Sequence, residues 1–203
     1  MVIPDPWTGP FGQEGGDTAR LSLGLSDAPI VGLVGMQNHR KGFDVAADSI
    51  AQLALKDGEF QVVIVGDVDP SLACKLGELE SRLGSRLTHI TDYVSDSVLA
   101  QLMASFSVTL LPYSAAFTST SGVLSRSVAS GTPVIASDHG LIAHRVETWG
   151  LGMTFRYPDS NALQVCLEAA FRGEIRLSSR AQSFVSGCTA TALEARVVEL
   201  LSD

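Results

Sequence analysis

Two stretches of this chain carry side chains able to hold an anion or a sugar. The first is Gly35-Met36-Gln37-Asn38-His39-Arg40-Lys41-Gly42. Arg40 and Lys41 stand directly before a run with helical spacing, and a helix start offers unpaired amides and a positive dipole end to an anion. Gly35, at the end of an apolar run, lets a ligand approach the backbone. A diphosphate fits this chemistry; taken alone, a solvated basic turn fits it equally well. The stretch is neither GxGxxG nor a Walker loop, which weighs against a dinucleotide or P-loop reading. The second stretch runs from Pro112 to Leu124, with Ser119, Thr120, Ser121 and Gly122 at a helix start. Small hydroxyls and free amides suit a phosphate or a sugar hydroxyl. Ordinary N-capping explains the same residues.

These loops need elements to position them. Short apolar runs at Ile30–Gly35, Gln61–Gly66, Leu87–Ile90, Val108–Leu111, Pro133–Ala136 and Met153–Phe155 read as strands. Between them lie stretches with helical spacing: 42–55, 71–83, 95–105, 121–130 and 141–148, with further helices from Ser160 and Thr191. Strands apolar throughout, alternating with amphipathic helices, predict a parallel sheet covered on both faces. The fold class is therefore α/β, a doubly wound, Rossmann-like sheet of about six strands, whose ligands bind where strands lead into helices.

Composition narrows the classes. The 203 residues carry 45% hydrophobic side chains, which is too apolar for a disordered chain. No apolar run reaches the roughly 20 residues of a membrane span, and residues 1–17 lack the pattern of a secretory signal. A cytoplasmic protein without membrane association is expected. With 22 acidic against 14 basic residues, the net charge of −8 argues against a nucleic-acid face. Cys74, Cys166 and Cys188 are odd in number and lack CxxC spacing, so they are expected as buried or half-buried free thiols.

The motifs gain weight from their order. Gly35 to Lys41-Gly42, Val65-Gly66-Asp67, Tyr93-Val94-Ser95-Asp96, Leu110-Leu111-Pro112 and Ala129 to Asp138 follow one another along the chain. The set resembles the carboxyl-terminal, donor-binding domain of GT-B retaining glycosyltransferases of the group 1, mannosyltransferase-like type. The likeness covers about Ile30 to Ala170. It implies that Gly35 and Lys41 face the diphosphate of a nucleotide-sugar and that Gly66 leaves room for the nucleotide. It implies too that the backbone at Tyr93 and Val94 holds the base, while Ser119, Thr120, Ser121, Gly122 and Val123 bind phosphate and sugar. The substrate would be a nucleoside-diphosphate sugar, with a hexose passed to an unknown acceptor and no further cofactor or metal.

The departures from that pattern bear on the same site. The family's Arg after the first glycine is Met36, with Arg40 as a candidate replacement. Its paired carboxylates fall on Thr118 and Arg126, and a guanidinium has only donors. Arg126 could instead add positive charge near the diphosphate. The catalytic residue is unassigned; Lys41 and Arg40 are the candidates for stabilising the leaving diphosphate. A degenerate nucleotide-binding or interaction module is the alternative reading.

Other residues carry less. His139 and His144 lack a third ligand for zinc. Asp138 and His139 lack the G-x-S-x-G elbow of a hydrolase. Trp149 reads as packing and Glu147 as solvated. By domain, 1–27 is an irregular lead-in or interdomain linker with Trp7 and Phe11 as isolated aromatics, and Ile3 to Pro6 resembles the linker segment of the family. Residues 28–175 form the Rossmann-like domain. Residues 176–203 form a helical tail that would cross to an amino-terminal Rossmann-like domain or partner chain.

Overall fold

The computed structural model describes residues 6–7, 14–56 and 59–202. Six strands form one sheet: β1 (Ile30–Val34), β2 (Gln61–Val65), β3 (Leu87–Ile90), β4 (Val108–Leu111), β5 (Val134–Ser137) and β6 (Gly152–Phe155). Their order is β3-β2-β1-β4-β5-β6, and every pairing is parallel. β1, β2, β4 and β5 are buried along their whole length, as their unbroken apolar runs require.

The period of two divides these strands between two cores. Val31, Leu33, Val62, Ile64, Val108, Leu110 and Ile135 point to one face, where they meet α2 (Phe43–Leu53), α3 (Ala73–Leu83) and α7 (Ser160–Phe171). Ile30, Val34, Val63 and Val65 meet α1 (Gly16–Ser22) and α4 (Asp96–Ser105) on the other. Beside them, Leu111, Val134 and Ala136 pack with α5 (Gly122–Ala129), α6 (Gly140–Trp149) and α8 (Ala181–Ser186). The last helix is α9 (Ala190–Ser202).

The chain leaves β1 toward α2 on one face and leaves β4 toward α5 on the other. β1 and β4 are neighbours, so the connections diverge and open a crevice at their carboxyl ends, the place where such sheets bind ligands.

The structure differs from the sequence reading at both ends. Within the lead-in, Gly15 caps the start of the helix α1, whose Ala19 is buried against α4. Trp7 is not isolated: it is 2% exposed among Ala181, Phe184, Val185 and Cys188, and its amide donates to the Cys188 carbonyl at 2.7 Å. The segment from 176 therefore contributes α8 and Cys188 to this domain's core before α9 begins. Cys166 and Cys188 are buried as expected, but Cys74 is exposed, because α3 turns few residues inward. Ile3 to Asp5 and Phe11 lie outside the described residues.

Candidate functional site

The loop after β1 is built by short-range hydrogen bonds. Asn38 Oδ1 accepts from the Lys41 amide at 2.9 Å and so caps a single 3-10 turn, His39–Lys41. Gly42 follows in the left-handed region at φ 67° and caps the start of α2. A side chain there would overlap the Pro112 carbonyl oxygen, so this position needs glycine twice over. The turn carries Lys41 back over the strand it left: Lys41 Nζ donates to the Val34 carbonyl at 3.1 Å. It also lies 6.0 Å from the centroid of the Tyr113 ring. Burial, and then the charge of Arg40, bring the Lys41 ammonium down to about 8.

Gly35 and Gly66 close the floor of this corner. A Cβ on Gly66 would come within 2.8 Å of the Gly35 backbone, and one on Gly35 within 2.7 Å of Lys41 Nζ. Gln37, only 3% exposed, ties the two loops together. Its Nε2 donates to the Gly35 carbonyl at 2.6 Å, and its amide donates to Asp67 O at 2.7 Å.

The loop after β4 approaches from the other side. The Ser114 amide and hydroxyl both donate to the Arg40 carbonyl, at 3.0 and 3.1 Å. The Arg40 guanidinium lies over the Phe117 ring at 4.9 Å, and Phe117 in turn packs on Tyr113. The Tyr113 hydroxyl is 3.3 Å from Ser121 Oγ. Burial pushes the Tyr113 hydroxyl up to about 12, so it stays protonated and retains its proton to donate. Ser121 caps α5 by accepting from the Leu124 amide at 3.3 Å. Among the described residues it alone, glycine aside, has a positive φ, at 62°.

Of the residues singled out in sequence, Gly35, Lys41, Gly66 and Ser121 thus gather around the crevice, with Tyr113 between Lys41 and Ser121. Val94 and Val123 pack against one apolar cluster beside it. Thr120 is held by its carbonyl, which accepts from Arg145 Nη1 at 3.0 Å. Gly122 opens α5. Tyr93 is 92% exposed. Ser119 is likewise exposed. Arg126 stacks over Trp7 at 4.8 Å, and its Nε is buried without a hydrogen-bond partner among the described residues.

Gln37, Tyr113 and Arg145 make contacts with these loops that the sequence reading did not anticipate. Arg145 left a signal: between Ile142 and Val146 it is a charge on the apolar face of a helix. Glu147 is exposed, and Trp149 packs against Phe184. Among the described residues no group of three or more His, Cys, Asp or Glu side chains is placed to hold a metal ion. None of the described helices is long and apolar enough to cross a membrane.

Comparison with known proteins agrees with this fold. Sucrose-phosphate synthase from Thermosynechococcus elongatus superposes with a TM-score of 0.76 at 24% identity, covering 100% of this chain and 52% of that one. Anabaena HepE, in complex with UDP and glucose, gives 0.72 at 21% identity, covering 93% and 52%. WaaG, a glycosyltransferase involved in lipopolysaccharide biosynthesis, gives 0.66 at 18%, covering 94% and 51%. At these identities the likeness establishes the fold, that of one half of a GT-B glycosyltransferase. The chain spans about half the length of these structures. No curated protein sequence matches it. The family profile described as "Glycosyl transferases group 1" matches residues 28–171, most of the chain and all six strands. The chain belongs to the group 1 glycosyl transferases.

Proposed function

We propose that this chain is the donor-binding half of an enzyme that transfers a hexose from a nucleoside-diphosphate sugar. The observation that carries this reading is Lys41. Its ammonium is half-buried at the switch point and bonded to the Val34 carbonyl, and it makes no ion pair among the described residues. A desolvated cation without a counter-ion is an incomplete arrangement. A diphosphate laid across the crevice completes it, with the amides at the start of α5 as further donors. As the sugar leaves, negative charge grows on that diphosphate. Lys41 and the α5 amides are already oriented toward such charge, which is how this half lowers the barrier.

Anabaena HepE, whose structures hold UDP, glucose and UDP-glucose, makes UDP-glucose the first donor to try. An acceptor site belongs to a second Rossmann-like domain, fused or supplied as a partner chain. A cytoplasmic setting suits Cys74 and Cys166, which form no disulfide among the described residues.

One observation favours a second reading, a nucleotide-binding or interaction module without catalysis. Arg126, where the family has a carboxylate, is engaged on Trp7. Calorimetric titration with the diphosphates of uridine, guanosine and adenosine separates the readings. Saturable binding of one of them supports the donor site; no heat from any at millimolar concentration removes it.

A further inference from the structure

Arg145 stands in the middle of α6 at 5% exposure, between the buried Ile142, Ala143 and Val146. A buried guanidinium is unfavourable unless its donors are met, and an apolar side chain would serve the packing as well or better. One of its donors meets the Thr120 carbonyl at 3.0 Å, and its guanidinium carbon lies 6.0 Å from the centroid of the Phe184 ring.

That carbonyl belongs to the peptide leading into Ser121, the residue with φ 62° and ψ 96°. An L residue with a side chain is strained in this region. The strain would be relieved by turning over the Thr120–Ser121 peptide plane, which reverses the sign of φ at Ser121. Turning it over also swings the Thr120 oxygen away from Arg145. The hydrogen bond from α6 therefore opposes the relaxation and keeps Ser121 where its hydroxyl caps Leu124 and meets Tyr113.

We propose that Arg145 is a positioning residue of the donor site. By clamping the Thr120 carbonyl it holds the turn at Ser121, and with it the amides at the start of α5, in the orientation that receives a phosphate. This rests on the donor-site reading above, but it has a readout that does not.

Arg145→Met and Arg145→Lys are compared with the wild-type chain. Arg145→Met keeps the apolar stem and removes the donor; Arg145→Lys keeps a donor and the charge. Binding is measured for whichever of the uridine, guanosine and adenosine diphosphates the wild-type takes, and for its parent nucleoside. The Met variant is expected to lose roughly tenfold in diphosphate affinity with nucleoside affinity and Tm unchanged, and the Lys variant to recover most of that loss. In the ligand-free proteins, the Leu124 amide is expected to exchange faster in the Met variant than in wild-type or Lys. If the wild-type binds no diphosphate, the donor-site reading fails, and the Leu124 exchange alone decides the clamp. If Arg145→Met does not fold, Arg145→Gln replaces it, with diphosphate affinity expected below that of the Lys variant. Wild-type Leu124 exchange in the Met variant overturns the proposal. So does equal loss of diphosphate and nucleoside affinity.

Discussion

Lys41 Nζ donates to the carbonyl oxygen of Val34, seven residues back along the chain, at 3.1 Å. The bond folds the lysine over the end of β1 and holds its charge at the switch point rather than in solvent. An ammonium has three protons. One is given to Val34, and the others are free to meet a ligand.

Replacing Lys41 by alanine should therefore weaken nucleoside diphosphate binding by about 1.5–3 kcal/mol, the range for a charge-assisted hydrogen bond. The fold should persist, because the side chain is half-buried and its loss leaves one strand-end carbonyl for water to satisfy. Calorimetry on the folded variant checks this. Unchanged affinity would show that the diphosphate lies elsewhere.

The acidity of Lys41 gives a separate expectation. Burial and Arg40 lower it from 10.5 to about 8, with Tyr113 beside it neutral over the same range. A folded-state value below the unfolded one means that charged Lys41 opposes folding. That penalty is fully present below about pH 8 and fades as pH rises toward 10.5. Lys41→Met should thus raise Tm more at pH 7 than at pH 10. A bound diphosphate reverses the preference, so binding at pH 8 should take up roughly half a proton per site. Calorimetry in buffers of different ionisation enthalpy measures that uptake; none at pH 8 would place Lys41 outside the binding event.

The sheet was legible because its strands are apolar on both sides, and Ile30–Val34 or Gln61–Val65 can then be little else. Gly35 and Lys41 were legible because the strand end, the turn and the helix start are all local. α1 was not. Its seven residues begin at the second of two glycines, and it exists because Ala19 and Gly16 fit against α4. Trp7 was equally hidden, and Arg145 showed only as a charge on an apolar helix face, since their partners Cys188, Arg126 and Thr120 are brought to them only by the completed fold. Local spacing identifies what a loop contains, whereas tertiary packing decides which of its groups are held still.

Gly42 tests the joint between the two site loops. A Cβ there meets both a left-handed backbone and the Pro112 carbonyl. Gly42→Ala should destabilise by about 3 kcal/mol or more, since strain and steric overlap add. Urea denaturation reads this as a lower midpoint at unchanged slope. A loss under about 1 kcal/mol would mean that the two loops are not in contact in solution.

Trp7 tests the amino-terminal anchor. Its side chain fills the space between α5 and α8 and covers the Arg126 guanidinium. Trp7→Ala should cost about 3–5 kcal/mol, as for other buried aromatics. A surface-like value near 0.5 kcal/mol would detach this segment from the core. Tryptophan fluorescence gives an independent check, because a buried Trp7 should resist quenching by iodide.

The final prediction concerns transfer itself. This chain spans 52% of the sucrose-phosphate synthase it resembles, and on α9 Val197, Val198 and Leu201 remain exposed. Holding donor and acceptor in line can contribute roughly 7–11 kcal/mol, and excluding water protects the activated sugar. A single α/β domain with an open crevice does neither. The 203-residue chain alone should bind donor yet transfer sugar only at background rate. Supplying an amino-terminal Rossmann-like half, as a fusion or a separate chain, should restore transfer. It should also slow amide exchange from Leu193 to Leu201, as α9 gains a covering surface. Robust transfer by the isolated chain would overturn the two-domain reading, because the groups that align and shield the sugar would then have to lie within these residues.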